Sequence, residues 1–313
     1  MTCLKIVHFI HNKIESFGAM TNSSELIDLR ELSRIVKRSI PTIMDEFIAL
    51  GQDALNEAET LLKDSTVKEK RKATLRISQV KVLAPVLSPP KIICLGLNYR
   101  DHAAEQNRSL PDEPIIFMKP RTAIIGPDEP VVKPSFVKQL DYEAELALLI
   151  GRRGKNITVE EARKYIFGYT CFNDVSARDI QFKDGQWTRG KSFDTFAPMG
   201  PWITTSDQIG DPANLWIRTR VNGELRQNSS TSNMVFNFDR IIHELSRVMT
   251  LEPCDVIATG TPAGVGFAWK PKPRFLSVGD VVEIEIENMG ILRNMVAASS
   301  TLTHVAKKTM RRR

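Results

Sequence analysis

The chain has 313 residues, of which 42% are hydrophobic and 26% charged, the balance of an ordinary globular protein with chain enough for one large domain or two smaller ones. This excludes bulk disorder and collagen-like repeats, and no apolar run approaches the ~20 residues that cross a bilayer. The net charge is +6, but Lys307, Lys308, Arg311, Arg312 and Arg313 crowd into residues 299–313 and leave the body at +1 without them, so a basic tail rather than a nucleic-acid surface accounts for the excess.

The first 88 residues read as a small α+β region. A strand-like stretch, 4–10, follows the first methionine almost at once, so no cleavable presequence is expected in the chain as given. Residues 41–62 carry apolar side chains at helical spacing (Ile43, Phe47, Leu50, Ala54, Ala58, Leu61), with Ser39 placed to cap and Pro41 suited to the first turn. The charged stretch 63–76 reads as an exposed connector, and Pro85, Pro89 and Pro90 punctuate entry to a main domain at 89–298. There the pattern turns to strands: 92–97, 115–118, 131–132, 144–150, 168–172, 216–221 and 281–286. Asn222-Gly223 signals a two-residue hairpin. Helices are expected only near 158–167, where Thr158 and Glu161 have capping-box spacing, and near 239–249. Many strands and few helices predict a β-rich α+β domain, curled or barrel-like. The cysteines Cys3, Cys94, Cys171 and Cys254 are scattered, with no CxxC pair, which excludes a compact disulfide framework or zinc site and fits a reducing compartment.

The chemistry concentrates in the main domain. In the strand-like stretch 141–150, Glu143 and Glu145 are two apart and share a face, opposite Leu146, Leu148 and Ile150. Two adjacent carboxylates repel, and a hard divalent cation offsets that; a solvated strand end is the alternative. Asp174, at the end of the next strand, can join them in an oxygen-only site suited to Mg²⁺, with Mn²⁺ and Ca²⁺ also open, or can simply cap the turn that follows. His102 and Glu105 stand at i,i+3 and form an acid–base pair if a helical turn begins near Asn98, or else a surface ion pair. Lys119 and Lys191 close an apolar strand and a Gly-punctuated loop, where a lysine can stabilise an enolate or merely balance charge. The Gly-rich turn 259–266 offers free amides to an anionic group but lacks the lysine of a phosphate loop.

Taken together, GLNYRDHAAEQ, FMKP, DYEAELALLIG, FNDVSARDIQ, GKSFDTFAPMGP, VNGELRQ and ATGTPAGVG, in this order over residues 90–297, resemble the fumarylacetoacetate hydrolase family. FDTFAPMGP and FLSVGDVVEIEIENMG look closest to its domain-containing 2 group. The resemblance implies a mixed β-roll catalytic domain, a homodimer and a Mg²⁺ or Mn²⁺ site. It assigns Glu143, Glu145 and Asp174 as metal ligands, and His102 and Glu105 as an acid–base pair on a lid. Lys191 matches the lysine at the metal, Arg178, Gln181 and Thr261 match substrate-contacting or site-ordering positions, and Lys119 matches a site-lining one. Implied activities are oxaloacetate keto–enol tautomerisation in mitochondria first, then C–C hydrolysis of acylpyruvates or fumarylacetoacetate, then oxaloacetate decarboxylation. The expected partner is a small 2-oxo acid, with no nucleic acid and no membrane. A cytoplasmic location fits if no presequence is missing, and a metal-stabilised dimeric binding protein is the non-enzyme alternative.

Overall fold

The structure, a computed structural model, describes residues 4–183, 185–209 and 211–299; Cys3 and the basic tail 300–313 lie outside the described residues. The chain is α+β. Its main sheet has twelve strands: ten on a path that runs Thr74–Arg76, Glu25–Asp28, Ile14–Met20, Lys5–His11, Ala197–Thr205, Ile166–Asn173, Ala144–Ile150, Val256–Ala258, Ile92–Gly96, Ile115–Lys119, and two off it, Lys81–Val82 beside Lys5–His11 and Ile124–Ile125 beside Ala197–Thr205. Neighbours on this path are antiparallel except Val256–Ala258 beside Ile92–Gly96. A second sheet of five strands runs Glu224–Ser230, Trp216–Val221, Val281–Ile286, Gly290–Ala298, Val131–Lys133.

The central strands are buried on both faces, which is why 146–150 reads as an unbroken apolar run. Leu146, Leu148 and Ile150 face a core shared with Ile217, Ile284 and Leu292 of the second sheet and with Ile241 and Leu245 of the helix Phe238–Val248. Ala147 and Leu149 face a different core, built with Phe17, Leu32, Phe47 and Leu55. The first residues therefore extend the main sheet, through Lys5–His11 on Ala197–Thr205, and cover its second face.

Several local expectations change. The helix at 41–62 is two helices, Met44–Ala49 and Gln52–Asp64, broken at Gly51, whose φ of +56° no helix continues through. Ser39 and Pro41 lie upstream of the first helix, whose N-cap is Ile43 with no side-chain cap bond. Part of the charged connector is an α-helix, Val67–Ala73, because Thr66 and Glu69 form a reciprocal capping box; its charges point outward and Ala73 is its buried residue. At 158–167 there is a 3₁₀ turn, Ala162–Tyr165, and the strand already begins at Ile166. Thr158 and Glu161 are joined there by a backbone bond, Glu161 N–H to the Thr158 carbonyl. The hairpin stands as read: Val221 pairs with Glu224 across Asn222-Gly223, both with positive φ. Cys94, Cys171 and Cys254 are buried free thiols.

Phe47 packs between Phe17 (ring centroids 4.8 Å apart) and Phe167 (6.1 Å), so it ties the first residues to the central strands. Phe47→Ala is expected to cost about 3–5 kcal/mol. All four tryptophans lie at or beyond Trp187, so the urea transition followed by tryptophan fluorescence should move to lower denaturant with the loss. A fluorescence transition left unmoved while helical circular dichroism melts earlier would contradict the shared core.

Candidate active site

The site forms where the central strands end. Ala144 pairs with Asn173, and just beyond that pair the two chains are tied again. Asp174 N–H donates to the Glu143 carbonyl at 2.9 Å, and Glu143 N–H donates to Asn173 Oδ1 at 3.0 Å. This lock brings one carboxylate oxygen each from Glu143, Glu145 and Asp174 within 4.8 Å of one another, all three side chains being buried.

Such a cluster needs positive charge. Lys191 Nζ lies 2.7 Å from both Glu143 Oε2 and Asp174 Oδ2. Lys119 donates to Asp174 Oδ1 and to the Val175 carbonyl. The Arg178 guanidinium lies 2.6 Å from Glu143 Oε1. Burial works against the charge of Glu143, but Lys191 and Arg178 outweigh it and hold its carboxyl below the usual carboxylate range. Glu145 goes the other way. Burial, then the neighbouring Asp174 and Glu143 anions, push its carboxyl well above that range. Its hydrogen bond comes from Gly260 N–H, 2.8 Å from Oε2. Three converging oxygen donors, one of them without a cation of its own, fit a hard divalent ion.

The acid–base pair stands opposite. The helix Arg100–Glu105 starts just after Asn98, whose buried amide anchors it, donating to the Phe236 and Thr259 carbonyls and accepting from Phe236 N–H. His102 Nδ1 is 2.6 Å from Glu105 Oε1, and Glu105 Oε2 accepts from Gly264 N–H at 2.8 Å. Gln106 Nε2 lies 2.8 Å from His102 Nε2. This network assigns the tautomer: Nδ1–H donates to Glu105, and Nε2 accepts from the amide. His102, Glu143, Arg178, Gln181, Lys191 and Thr261 all line one cavity of about 170 Å³, walled on its other sides by Leu97, Phe117, Trp187 and Phe267.

Residues 91–297 match the family described as "Fumarylacetoacetate (FAA) hydrolase C-terminal". The chain belongs to the fumarylacetoacetate hydrolase family. It is 48% identical over 260 residues, 82% of this chain and 79% of the relative, to "Oxaloacetate tautomerase fahd2, mitochondrial" of Xenopus laevis. It is 41% identical over 307 residues, 94% of this chain and 97% of the relative, to "Fumarylacetoacetate hydrolase domain-containing protein 2 homolog" of Dictyostelium discoideum. Among solved structures, "Fumarylacetoacetate hydrolase (EaFAH) from psychrophilic Exiguobacterium antarcticum" superposes with a TM-score of 0.78 at 39% identity, over 94% of this chain and 99% of that one. The chain is thus an enzyme of the fumarylacetoacetate hydrolase family.

In this member, the residues singled out from the sequence do not all stand alike. Lys119 is buried behind the carboxylates, on Asp174, and does not line the cavity. The Gly-rich turn binds the chain's own acids: Gly260 N–H meets Glu145, Gly264 N–H meets Glu105, and Gly266 N–H meets Asp141. An outside anion is therefore not what those three amides hold. Arg178 is gripped by a residue that the sequence reading passed over. Asp141, fully buried, accepts from Arg178 Nε at 2.9 Å and from the amides of Gly266 and Phe267, while Arg178 NH1 donates to Gln181 Oε1. Gln227, also fully buried, donates to Thr261 Oγ1 and to the Pro262 carbonyl and accepts from Ala144 N–H and Thr219 Oγ1. It joins the strand that bears Glu145 to the Gly-rich turn. No local pattern in the sequence marked Asp141 as the partner of Arg178, or Gln227 as a tie.

Asp141→Ala leaves a buried guanidinium and the amides of Tyr142, Gly266 and Phe267 short of an acceptor. It should cost about 3–5 kcal/mol in urea unfolding. A loss under about 1 kcal/mol, the range of an exposed pair, would show that Arg178 does not depend on it.

Proposed function

We propose that the chain is a divalent-metal-dependent oxaloacetate keto–enol tautomerase. The observation that carries this reading is one small cavity lined both by Glu143 of the three-carboxylate cluster and by His102 of the histidine–glutamate pair. The activity in the Xenopus relative's name supports it. Glu143, Glu145 and Asp174 would hold Mg²⁺, with Mn²⁺ or Ca²⁺ fitting the same oxygen set. When bound, the cation supplies positive charge where the oxygens of a 2-oxo acid gather negative charge.

The chain's own residues do the rest. In ketonisation the enol loses its O–H proton and C3 gains one. His102 Nε2 carries that proton, directly or through a water, once the Gln106 amide gives way. Glu105 keeps the Nδ1–H in place and offsets the imidazolium that forms transiently. Lys191 adds positive charge beside the carboxylates, and Arg178, fixed by Asp141, holds Glu143 in position. The helix Arg100–Glu105 places His102 against the cavity.

The cavity also favours a short diacid. At about 170 Å³ it is below the ~300–1,000 Å³ of drug-sized sites. Lys191, Arg178 and His102 already face carboxylates of the chain. Arg108 lines the cavity and, among the described cavity-lining cations, has no acidic partner, so it is free for the carboxylate at the far end of oxaloacetate. By the same proposal the chain works in mitochondria, as the relative's name says of that protein. By the same proposal it forms a homodimer, as the resemblance to the family implies.

Enol-oxaloacetate decay, followed optically, should be accelerated by the magnesium-loaded protein and fall to the uncatalysed rate with chelator. His102→Ala should lower kcat by about 10²–10⁴-fold. Catalysis insensitive to chelator, or unaltered in His102→Ala, would reject the proposal. Arg108→Gln should raise KM for enol-oxaloacetate about tenfold, the worth of one charged hydrogen bond, with kcat within about twofold. An unchanged KM would remove Arg108 from substrate binding.

A further inference from the structure

One wall of the cavity is an indole seated on a glycine. A Cβ added at Gly96 would fall 2.0 Å from Cζ3 and 2.6 Å from Cη2 of Trp187, so the six-membered ring lies directly over the end of the strand Ile92–Gly96, where any side chain would displace it. Phe117, on the neighbouring strand, meets the indole edge-on, with centroids 5.7 Å apart and planes at 74°. The same Phe117 ring lies 5.2 Å from Lys191 Nζ, which is bonded to Glu143 and Asp174. From the carboxylates outward, the order is therefore ammonium, phenyl ring, indole. Trp187 is half-buried and lines the cavity together with Glu143, His102 and Thr261.

This arrangement has no part in moving a proton. Trp187 Nε1 and the Phe117 ring offer nothing that titrates. What the two rings do is occupy volume, and they do so rigidly. The indole has the Gly96 backbone beneath it and an aromatic edge against it, so it cannot yield to a longer ligand without losing both contacts. Burial of this kind is what makes an aromatic wall stiff.

We infer that Trp187 sets the length of the substrate. A 2-oxo acid anchored at the carboxylate cluster shares with the indole a cavity far smaller than the ~300–1,000 Å³ of drug-sized sites, which leaves room for a short acid before the wall is met. The wall admits a four-carbon diacid and rejects acids with a longer or aromatic tail. The inference rests on the proposed 2-oxo acid chemistry, and it assigns Trp187 as the residue that determines specificity within it.

The test uses the full, magnesium-loaded chain and its Trp187→Ala and Trp187→Phe variants. Two quantities are measured: kcat/KM for the enols of oxaloacetate and phenylpyruvate, and calorimetric affinity for oxalate and phenylpyruvate. Oxalate, with two carbons, ends before the wall. Trp187→Ala should raise kcat/KM for enol-phenylpyruvate at least about tenfold and tighten phenylpyruvate binding in proportion, the scale on which pocket size discriminates, with oxalate affinity held within about twofold. Trp187→Phe should fall between. Phenylpyruvate handled no better by either variant, with oxalate binding intact, would overturn the inference. So would an unaltered chain that takes enol-phenylpyruvate as readily as enol-oxaloacetate. If the alanine variant loses oxalate binding, the phenylalanine variant decides, by whether its phenylpyruvate-to-oxalate affinity ratio rises. Should the unaltered chain turn over neither enol, the tautomerase reading fails on its own, and the affinity ratios still decide whether Trp187 limits length.

Discussion

Three carboxylates packed within 4.8 Å of one another in a buried place are the constraint on which the rest of this molecule turns. Unbalanced, they would repel or protonate. The chain answers with two buried lysines and an arginine, and it still leaves Glu145, whose neighbours are anions, with its carboxyl pushed up. A further positive charge beside Glu145 would favour its ionised form. A site of that kind is costly to keep without a use, because burying ionised groups gains little stability of itself.

The fold keeps that cost local. Both faces of the central strands are packed, one against the second sheet and the helix Phe238–Val248, the other against the first residues of the chain. The ends of those strands are thereby fixed, and the bonds of the Glu143 backbone to the Asp174 amide and the Asn173 side chain set the spacing of the carboxylates. The Gly-rich turn then acts as a hub. Its amides reach Glu145, Glu105 and Asp141, and so one short segment couples the carboxylate cluster, the acid–base pair and the clamp on Arg178. A shift of that turn would move all three together.

What could be read from residues in advance was what lies close in sequence. The shared face of Glu143 and Glu145 follows from strand parity. The His102–Glu105 contact follows from helical spacing, and the hairpin from Asn222-Gly223. The order of motifs supplied the family, and with it Asp174 and Lys191. What stayed hidden depends on partners far along the chain. Lys119 reads as a cavity residue until Asp174 is seen to hold it from behind. The amides of the Gly-rich turn read as open to an anion until three side chains of the chain occupy them. Gln227 makes its bonds to Ala144 and Thr261, and no local pattern announces that. The helix at 41–62 failed for a different reason: its apolar period continues unbroken through Gly51, while the backbone there does not. At 67–73 a dense run of charge masked a legible capping box.

The most direct measurement is the anomalous diffraction of crystals soaked in Mn²⁺. The account predicts one strong peak per chain within about 2.0–2.2 Å of an oxygen from each of Glu143, Glu145 and Asp174, the distance of a small six-coordinate cation from its oxygen ligands, with His102 and Glu105 across the cavity from it. A peak elsewhere, or no peak while Lys191 still bridges Glu143 and Asp174, would contradict it.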